Sequence, residues 1–149
     1  SMRFLEPEIK DRGLNLTLEL RSALPALELD PDQIKQAFYN IVKNSIQATP
    51  ESGKITVKTD LSDNHILVTF NDTGEGISAE NLSTVFQPYF TTKKSGTGLG
   101  LLIIRRIIRE HGGDIKISSE KGFGTSVCIS LPRQQRNVRL LPLEQKNKD

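Results

Sequence analysis

Two glycine-rich segments of the chain combine residue types that could hold opposite ends of one small molecule. Asp72-Thr-Gly-Glu-Gly-Ile77 follows an alternating apolar segment, which places the Asp72 carboxylate at a predicted strand end. A carboxylate there can accept a hydrogen bond from the exocyclic amine of a nucleobase. Gly74 and Gly76 let the backbone approach a flat ring, and Ile77 offers an apolar edge. The alternative is that the segment is only a turn.

The second segment, Gly96-Thr-Gly-Leu-Gly-Leu101, opens an apolar helical pattern further along the chain. Its glycines are Gly96, Gly98 and Gly100. They leave backbone amides free at the positive end of the helix dipole, which suits a phosphate. The spacing is neither the dinucleotide fingerprint nor a P-loop, so a flexible helix entry is the alternative for this segment alone. Paired with Asp72 across a loop of lid length, it predicts a nucleotide site.

A helical pattern that begins after Asp30-Pro31 adds a third polar group. Aspartate suits the cap and proline the first helical position. Asn40 and Asn44 lie one turn apart on the border of the apolar stripe, together with Gln33 and Gln47. The Asn44 amide oxygen could ligate Mg²⁺ held mainly by phosphates and water, and Asn40 could orient the attacking group or a metal-bound water. A merely polar flank is the alternative, since asparagine is a mediocre helix former.

The apolar periodicity predicts the elements that must position these residues. The predicted strands are Leu14–Leu20, Lys54–Asp60, His65–Asn71, Asp114–Ser118 and Thr125–Leu131, and the predicted helices are Pro31–Ala48, Ala79–Val85 and Leu99–Glu110. An α+β fold (an α/β sandwich) is the economical packing of this order, with a mixed, mostly antiparallel sheet of about five strands and about three helices on one face.

Length and composition indicate one globular domain. The chain has 149 residues, of which 36% are hydrophobic and 26% charged. No apolar run reaches the roughly 20 residues that a membrane span needs, and no signal-peptide pattern opens the chain. Cys128 is the single cysteine, which excludes an internal disulfide or a multi-cysteine metal site and fits a reducing cytoplasm. It alternates with Val127 and Ile129, and we expect an inert core thiol.

The net charge of +2 is concentrated at the end of the sequence. From Arg133 onward, five basic residues outnumber Glu144 and Asp149, and no basic face with interleaved aromatic residues indicates nucleic-acid binding. We expect residues 1–132 to form the domain, with Ser1-Met2 as an expression remnant. We expect residues 133–149 to be a mobile polar tail without an assigned role.

Four segments in the same order resemble the boxes of sensor histidine kinase catalytic domains, which are HATPase domains of the GHKL, or Bergerat-fold, type. Asn40–Ala48 resembles the N box, Asp72–Ile77 the G1 box, Phe86–Lys93 the F box and Gly96–Leu101 the G2 box, and His111–Gly113 and Gly122–Thr125 match features that follow G2. The resemblance covers about residues 14–132, and the Pro-Tyr-Phe-Thr-Thr-Lys run is most similar to the nitrogen-regulation branch.

The resemblance implies a Bergerat-type ATP-binding fold, shared with gyrase-type ATPases, Hsp90-type chaperones and MutL-type repair proteins. By this resemblance Asp72 binds the adenine amine, Thr125 joins it through water, and Asn44 holds Mg²⁺. The implied contacts with ATP (or ADP) are Asn40, Asn44, Asp72, Gly74, Gly76, Ile77, Phe86, Thr92, Lys93, Lys94, Gly96, Thr97, Gly98, Leu99, Gly100, Leu101 and Thr125. The implied catalytic residues are Asn40, Asn44 and Lys93, with Asn44 as the metal ligand.

Asn40 stands where the ATP-hydrolysing relatives carry a glutamate base. An asparagine cannot take a proton at neutral pH, which favours transfer of the phosphoryl group to an acceptor over hydrolysis. Lys93 and Lys94 would reach the triphosphate from the lid. Gln47 departs from kinases with a basic residue at that position, so no phosphate contact is assigned to it.

The phosphoacceptor histidine of such kinases lies on a dimerising helical hairpin ahead of this domain. The histidines of this chain are His65, at a predicted hairpin turn, and His111, at a helix end where an imidazole suits the dipole. Neither is expected to accept phosphate. We therefore expect γ-phosphoryl transfer to a histidine on another segment of a homodimeric kinase, which is cytoplasmic or the cytoplasmic part of a membrane-anchored sensor.

The expected partners are ATP, that hairpin and a response regulator, with no contact to nucleic acid or membrane. A stand-alone serine kinase of the anti-sigma type is one alternative, although Asn40 and Phe86–Lys93 argue against it. The other alternative is a non-catalytic module in which nucleotide binding alone is sensed.

Overall fold

The computed structural model describes residues 5–87 and 100–133. Its elements are α1 (Glu6–Asp11), β1 (Asn15–Glu19), α2 (Pro31–Ala48), β2 (Lys54–Ser62), β3 (His65–Asp72), α3 (Ala79–Leu82), α4 (Gly100–Glu110), β4 (Asp114–Glu120) and β5 (Gly124–Pro132). The expected lid, the residues Thr92, Lys93, Lys94 and Gly96–Leu99, and the tail beyond Arg133 lie outside the described residues.

The five strands form one sheet in the order β1-β2-β3-β5-β4. β1 and β2 are parallel, and the other pairs are antiparallel. The predicted mixed, mostly antiparallel sheet is therefore confirmed. The register aligns Asp72 with Thr125 and Thr125 with Ser119, so side chains from β3, β5 and β4 meet at one end of the sheet.

One face of the sheet and the helices share a single hydrophobic core. Strand residues at every second position face the helices, as the pleat requires. Fully buried members of this core are Ile41, Val42, Ile46, Ile55, Phe70, Ile104, Ile108, Ile129 and Leu131. Because α2 and α4 pack against each other as well as on the sheet, the helix layer is held as one unit. None of the helices within residues 5–87 and 100–133 is long and apolar enough to cross a membrane.

The short helix α1 was missed by the sequence analysis. It has six residues, and its buried side is marked only by Ile9 and by Leu5, the residue before the helix, which is too little periodicity to recognise. Both side chains join the hydrophobic core. Arg12, which follows the helix, donates a hydrogen bond to the carbonyl oxygen of Ile46 in α2.

The prediction of a core thiol at Cys128 was wrong. Val127 and Ile129 are buried, and a strand turns successive side chains to opposite faces. Cys128 therefore lies on the face away from the helices, where it is half-exposed and its sulfur is 3.8 Å from the Thr69 hydroxyl oxygen.

The expected half-burial of the β1 leucines holds only at the start of the strand. Leu14 is buried, whereas Leu18 is 50% exposed and Leu20 is 59% exposed. Within the described residues β1 pairs with β2 alone, so its outer side contacts no further strand. The alternating pattern predicted the strand but not its edge position.

His111 connects the end of α4 to the start of α2. Asp30 caps α2 as predicted, its carboxylate accepting from the backbone N–H groups of Asp32 and Gln33. The backbone N–H of Asp30 in turn donates to Nε2 of His111, at 3.1 Å. Nδ1 of the same ring therefore carries the proton, and it donates to the carbonyl oxygen of Ile107 at 2.7 Å.

Candidate nucleotide-binding site

The Asp72 carboxylate lies at the end of β3, where the sequence predicted it, and is held by backbone donors. Its Oδ1 accepts from the N–H of Gly74 at 2.9 Å and from the N–H of Thr125 at 3.2 Å. Burial raises the pKa of Asp72 above its ordinary value of 3.8, and the two N–H donors and the Ser45 side chain oppose that rise. The result is a partly desolvated hydrogen-bond acceptor with a fixed orientation.

The glycines after Asp72 are required by close backbone contacts on two sides. A Cβ on Gly74 would lie 2.6 Å from the carbonyl oxygen of Ala48 in α2. Gly76 has φ of +71°, and a Cβ there would lie 2.1 Å from the carbonyl oxygen of Glu120 in β4. The segment is therefore more than a turn, because it is fitted between the end of α2 and the end of β4.

The last turns of α2 bring its polar border to Asp72. The Glu75 N–H donates to the carbonyl oxygen of Ala48 at 3.1 Å, and the side chain of the buried Ser45 lowers the pKa of Asp72. Asn44 directly precedes Ser45, and both Asn44 and Asn40 are half-buried on this helix. The structure thus places Asn44 next to Ser45, which acts on Asp72, with Asn40 one turn earlier in α2.

Two hydroxyl groups, that of Ser119 in β4 and that of Thr125 in β5, complete the site. The Ser119 oxygen lies 2.8 Å from the Thr125 hydroxyl oxygen, 2.7 Å from the N–H of Ile77 and 2.9 Å from the carbonyl oxygen of Gly124. Ser119 and Thr125 line, with Asp72, an open pocket of about 430 Å³. The site is therefore built from three strands and the end of α2.

Sequence reasoning missed Ser45 and Ser119. Ser45 carried a weak signal, since it is a hydroxyl within the apolar stripe of a helix. Ser119 carried none, because its role depends on the register between β4 and β5. The effect of Ser45 on Asp72 and the contact of Ser119 with Ile77 join residues far apart in sequence.

Of the predicted phosphate-binding half of the site, the structure describes only the residues at its two ends. Phe86 is half-buried against the core, and the Arg105 guanidinium of α4 lies 4.7 Å from the centre of its ring. Gly100 and Leu101 begin α4, which packs against α2. The other predicted ATP contacts on this side lie outside the described residues and stay predictions: Thr92, Lys93, Lys94, Gly96, Thr97, Gly98 and Leu99.

Comparison with known proteins places this chain among ATPases and kinases. Residues 29–135 match the family described as histidine kinase-, DNA gyrase B-, and HSP90-like ATPase. Sensor histidine kinase ZraS of Escherichia coli K12 is 36% identical over 132 residues, which are 89% of this chain and 28% of ZraS. Sporulation kinase E of Bacillus subtilis 168 is 40% identical over 125 residues, 83% of this chain and 17% of that kinase. The chain thus spans less than a third of either relative.

Solved structures agree with these sequence relatives. The nucleotide-free catalytic domain of histidine kinase ThkA is 34% identical with a TM-score of 0.78, and the match covers 87% of this chain and 86% of that domain. ThkA in complex with response regulator protein TrrA is 30% identical with a TM-score of 0.74, covering 88% of this chain and 37% of that one. The chain therefore belongs to the histidine kinase-, DNA gyrase B- and HSP90-like ATPase family and, within it, to the catalytic domains of histidine kinases.

Proposed function

We propose that this chain binds ATP with Mg²⁺ and transfers the γ-phosphoryl group to a histidine on a separate segment of its kinase, in two-component signalling. The observation that carries the proposal is the fixed, partly desolvated Asp72 carboxylate at the open end of the sheet. It is flanked by glycine backbone on one side and by the polar border of α2 on the other. Membership of the catalytic-domain family supports the proposal.

Asp72 and Thr125 are proposed to recognise the base. A carboxylate at this position accepts from the adenine amine, and the nearby Thr125 hydroxyl joins it through water. Gly74 and Gly76 hold the segment after Asp72 against α2 and β4, since side chains there would meet backbone at 2.6 Å and 2.1 Å. Ile77, whose N–H donates a hydrogen bond to the Ser119 hydroxyl oxygen, supplies an apolar edge.

Asn44 and Asn40 are proposed to serve the phosphate end. The Asn44 amide oxygen is a hard ligand of the kind that Mg²⁺ accepts, and one protein ligand suits a cation held mainly by phosphates and water. When bound, the cation would neutralise charge on the phosphates. Asn40 offers an amide and no base, so it orients without removing a proton from water. This favours transfer to an acceptor, a reaction that depends mainly on positioning and charge stabilisation.

The two histidines support an acceptor outside this domain. His65 is an exposed residue at the start of β3. Both ring nitrogens of His111 are engaged in hydrogen bonds that join α4 to α2. We therefore place the acceptor on the helical hairpin of a homodimeric kinase acting in the cytoplasm. We propose a response regulator as the next partner, which the ThkA–TrrA complex makes plausible for this family.

Radiolabelled ATP tests the proposal directly. The chain is incubated with γ-labelled ATP and Mg²⁺, alone and with a separately produced hairpin carrying the phosphoacceptor histidine of its own kinase. We expect acid-labile phosphohistidine on the hairpin and negligible label on this chain. Strong phosphohistidine on the chain alone would refute the separate acceptor. Phosphoserine on a small partner protein would instead favour the anti-sigma type, and ATP binding without any transfer would favour a sensing module.

A further inference from the structure

The hydroxyl pair Ser119–Thr125 has a hydrogen-bond arrangement that the contacts determine. A hydroxyl has one hydrogen to donate and two lone pairs that accept. The Gly124 carbonyl oxygen, 2.9 Å from Ser119, can only accept, so the Ser119 hydrogen is directed to it. The N–H of Ile77 can only donate, so it uses one lone pair of Ser119.

This leaves one role for the third contact. Ser119 has already used its hydrogen, so at 2.8 Å the Thr125 hydroxyl must be the donor and Ser119 the acceptor. All three contacts of Ser119 are then satisfied together. The reverse direction would place the Ser119 oxygen and the Gly124 carbonyl oxygen 2.9 Å apart with no hydrogen between them.

Thr125, having donated its hydrogen to Ser119, can only accept from a ligand. It lies opposite Asp72 in the sheet register, and its N–H already donates to the Asp72 carboxylate. A carboxylate and an acceptor-only hydroxyl therefore stand side by side in the same pocket. Such a pair suits a group that presents hydrogens and disfavours a carbonyl oxygen, either directly or through one bridging water that donates a hydrogen to each of the two acceptors.

We propose that Ser119 is a specificity-determining positioning residue, which fixes Thr125 as an acceptor and so selects 6-aminopurine over 6-oxopurine nucleotides. This inference rests on the proposed binding of ATP. It adds to the Asp72 carboxylate a second acceptor whose direction is set by a residue that need not touch the base.

Calorimetric titration with ATP and with inosine triphosphate, its 6-oxo counterpart, tests the proposal. In Ser119→Ala the Thr125 hydrogen becomes free to turn toward a carbonyl oxygen. We expect the ratio of ATP to inosine triphosphate affinity to fall about tenfold. Ser119→Thr keeps the hydroxyl and should keep the ratio within about threefold of wild type. The control is Ser62→Ala, since Ser62 is an exposed serine at the end of β2 where it pairs with His65, outside the pocket, and should leave the ratio unchanged.

Thr125→Val provides an independent test, and it should lower the ratio to a similar extent. The double variant with Ser119→Ala should lower the ratio no further than Thr125→Val alone, because both changes remove the same acceptor. Equal losses of affinity for both nucleotides in Ser119→Ala, or additive effects in the double variant, would reduce Ser119 to a structural residue and overturn the proposal. If wild type binds neither nucleotide, the proposed function fails first and this inference fails with it.

Discussion

At the scale of single residues, Asp72 is a carboxylate whose burial is only partly offset. Its Oδ1 has two backbone donors, and the Ser45 side chain also lowers its pKa, yet burial still raises that pKa. Within residues 5–87 and 100–133 no cationic group is among the causes that shift this pKa, and burial without a cationic partner costs free energy in the ionised form. A residue held in this way is typical of a binding site and contributes little to stability.

This balance predicts how stability depends on pH. Because the pKa of Asp72 is raised in the folded state, the folded protein binds the proton more tightly than the unfolded chain. Its contribution is therefore fully present below the unfolded pKa and is lost as pH rises through the folded pKa. We expect Asp72→Asn to unfold at neutral pH with a free energy equal to or above that of wild type, and the difference should shrink on acidification.

Urea unfolding between pH 4 and pH 7 measures this difference, with the exposed turn variant Asp63→Asn as control. A large loss of stability in Asp72→Asn at neutral pH would contradict the account, since it would make the charge a net stabiliser.

The glycines give a second prediction at this scale. In Gly76→Ala the new Cβ meets the Glu120 carbonyl oxygen at a positive φ, and we expect a loss of about 2–4 kcal/mol in unfolding free energy. Gly122→Ala is the matched control, because its φ is +88° but no atom lies within 4 Å of the added Cβ. It should lose about 1 kcal/mol. Thermal or urea unfolding compares the two, and equal losses would show that the contact with Glu120 is not tight.

At the scale of elements, the site depends on how α2 and α4 are held. α2 brings Asn40, Asn44 and Ser45 to the site, and α4 begins where the glycine cluster ends. At the far end of both helices, His111 joins the two through its ring nitrogens. The helices are thus tied at one end and packed against the sheet along their length.

Replacing His111 should weaken this connection between α2 and α4. His111→Ala removes the acceptor of the Asp30 N–H and the donor to the Ile107 carbonyl, and we expect a loss of about 1 kcal/mol in unfolding free energy. The other histidine supplies the control, since His65 is exposed and its alanine variant should stay within about 0.5 kcal/mol of wild type. Chemical unfolding measures the free energy of unfolding of the two variants and of wild type. If both variants were equally stable, the two hydrogen bonds of His111 would contribute nothing measurable.

The elements themselves were largely predictable from periodicity. The predicted bounds of α2 and the presence of five strands in that succession along the chain are correct, because alternating and helical apolar spacings are strong over those segments. The sheet face and the burial of individual side chains were harder to predict from the sequence. Cys128 was assigned to the wrong face despite its buried neighbours, and Leu18 is exposed because the edge position of β1 depends on how the strands assemble.

At the scale of the whole molecule, the fold gathers the base site from distant parts of the sequence. Asp72 was recognisable from its local motif. Ser45 and Ser119 became visible only when α2 and β4 were placed beside β3 and β5. The contact of Ser119 with Ile77 joins residues of different segments, and no local pattern encodes such a pairing.

In the proposed function, the domain carries out only part of a signalling reaction. It supplies the base pocket and the polar border of α2, while its own histidines are exposed or engaged in structure. The relatives it matches are three or more times longer. A catalytic domain that serves an acceptor on another segment is consistent with that organisation.

The central claim is that the Asp72 pocket holds the adenine of ATP, and calorimetry of ATP binding tests it most directly. Wild type, Asp72→Asn and the control Asp63→Asn are titrated with ATP and Mg²⁺ at neutral pH, after circular dichroism has shown that all three are folded. We predict that Asp72→Asn binds ATP at least about tenfold more weakly, whereas Asp63→Asn matches wild type. An unchanged ATP affinity in folded Asp72→Asn would contradict the account.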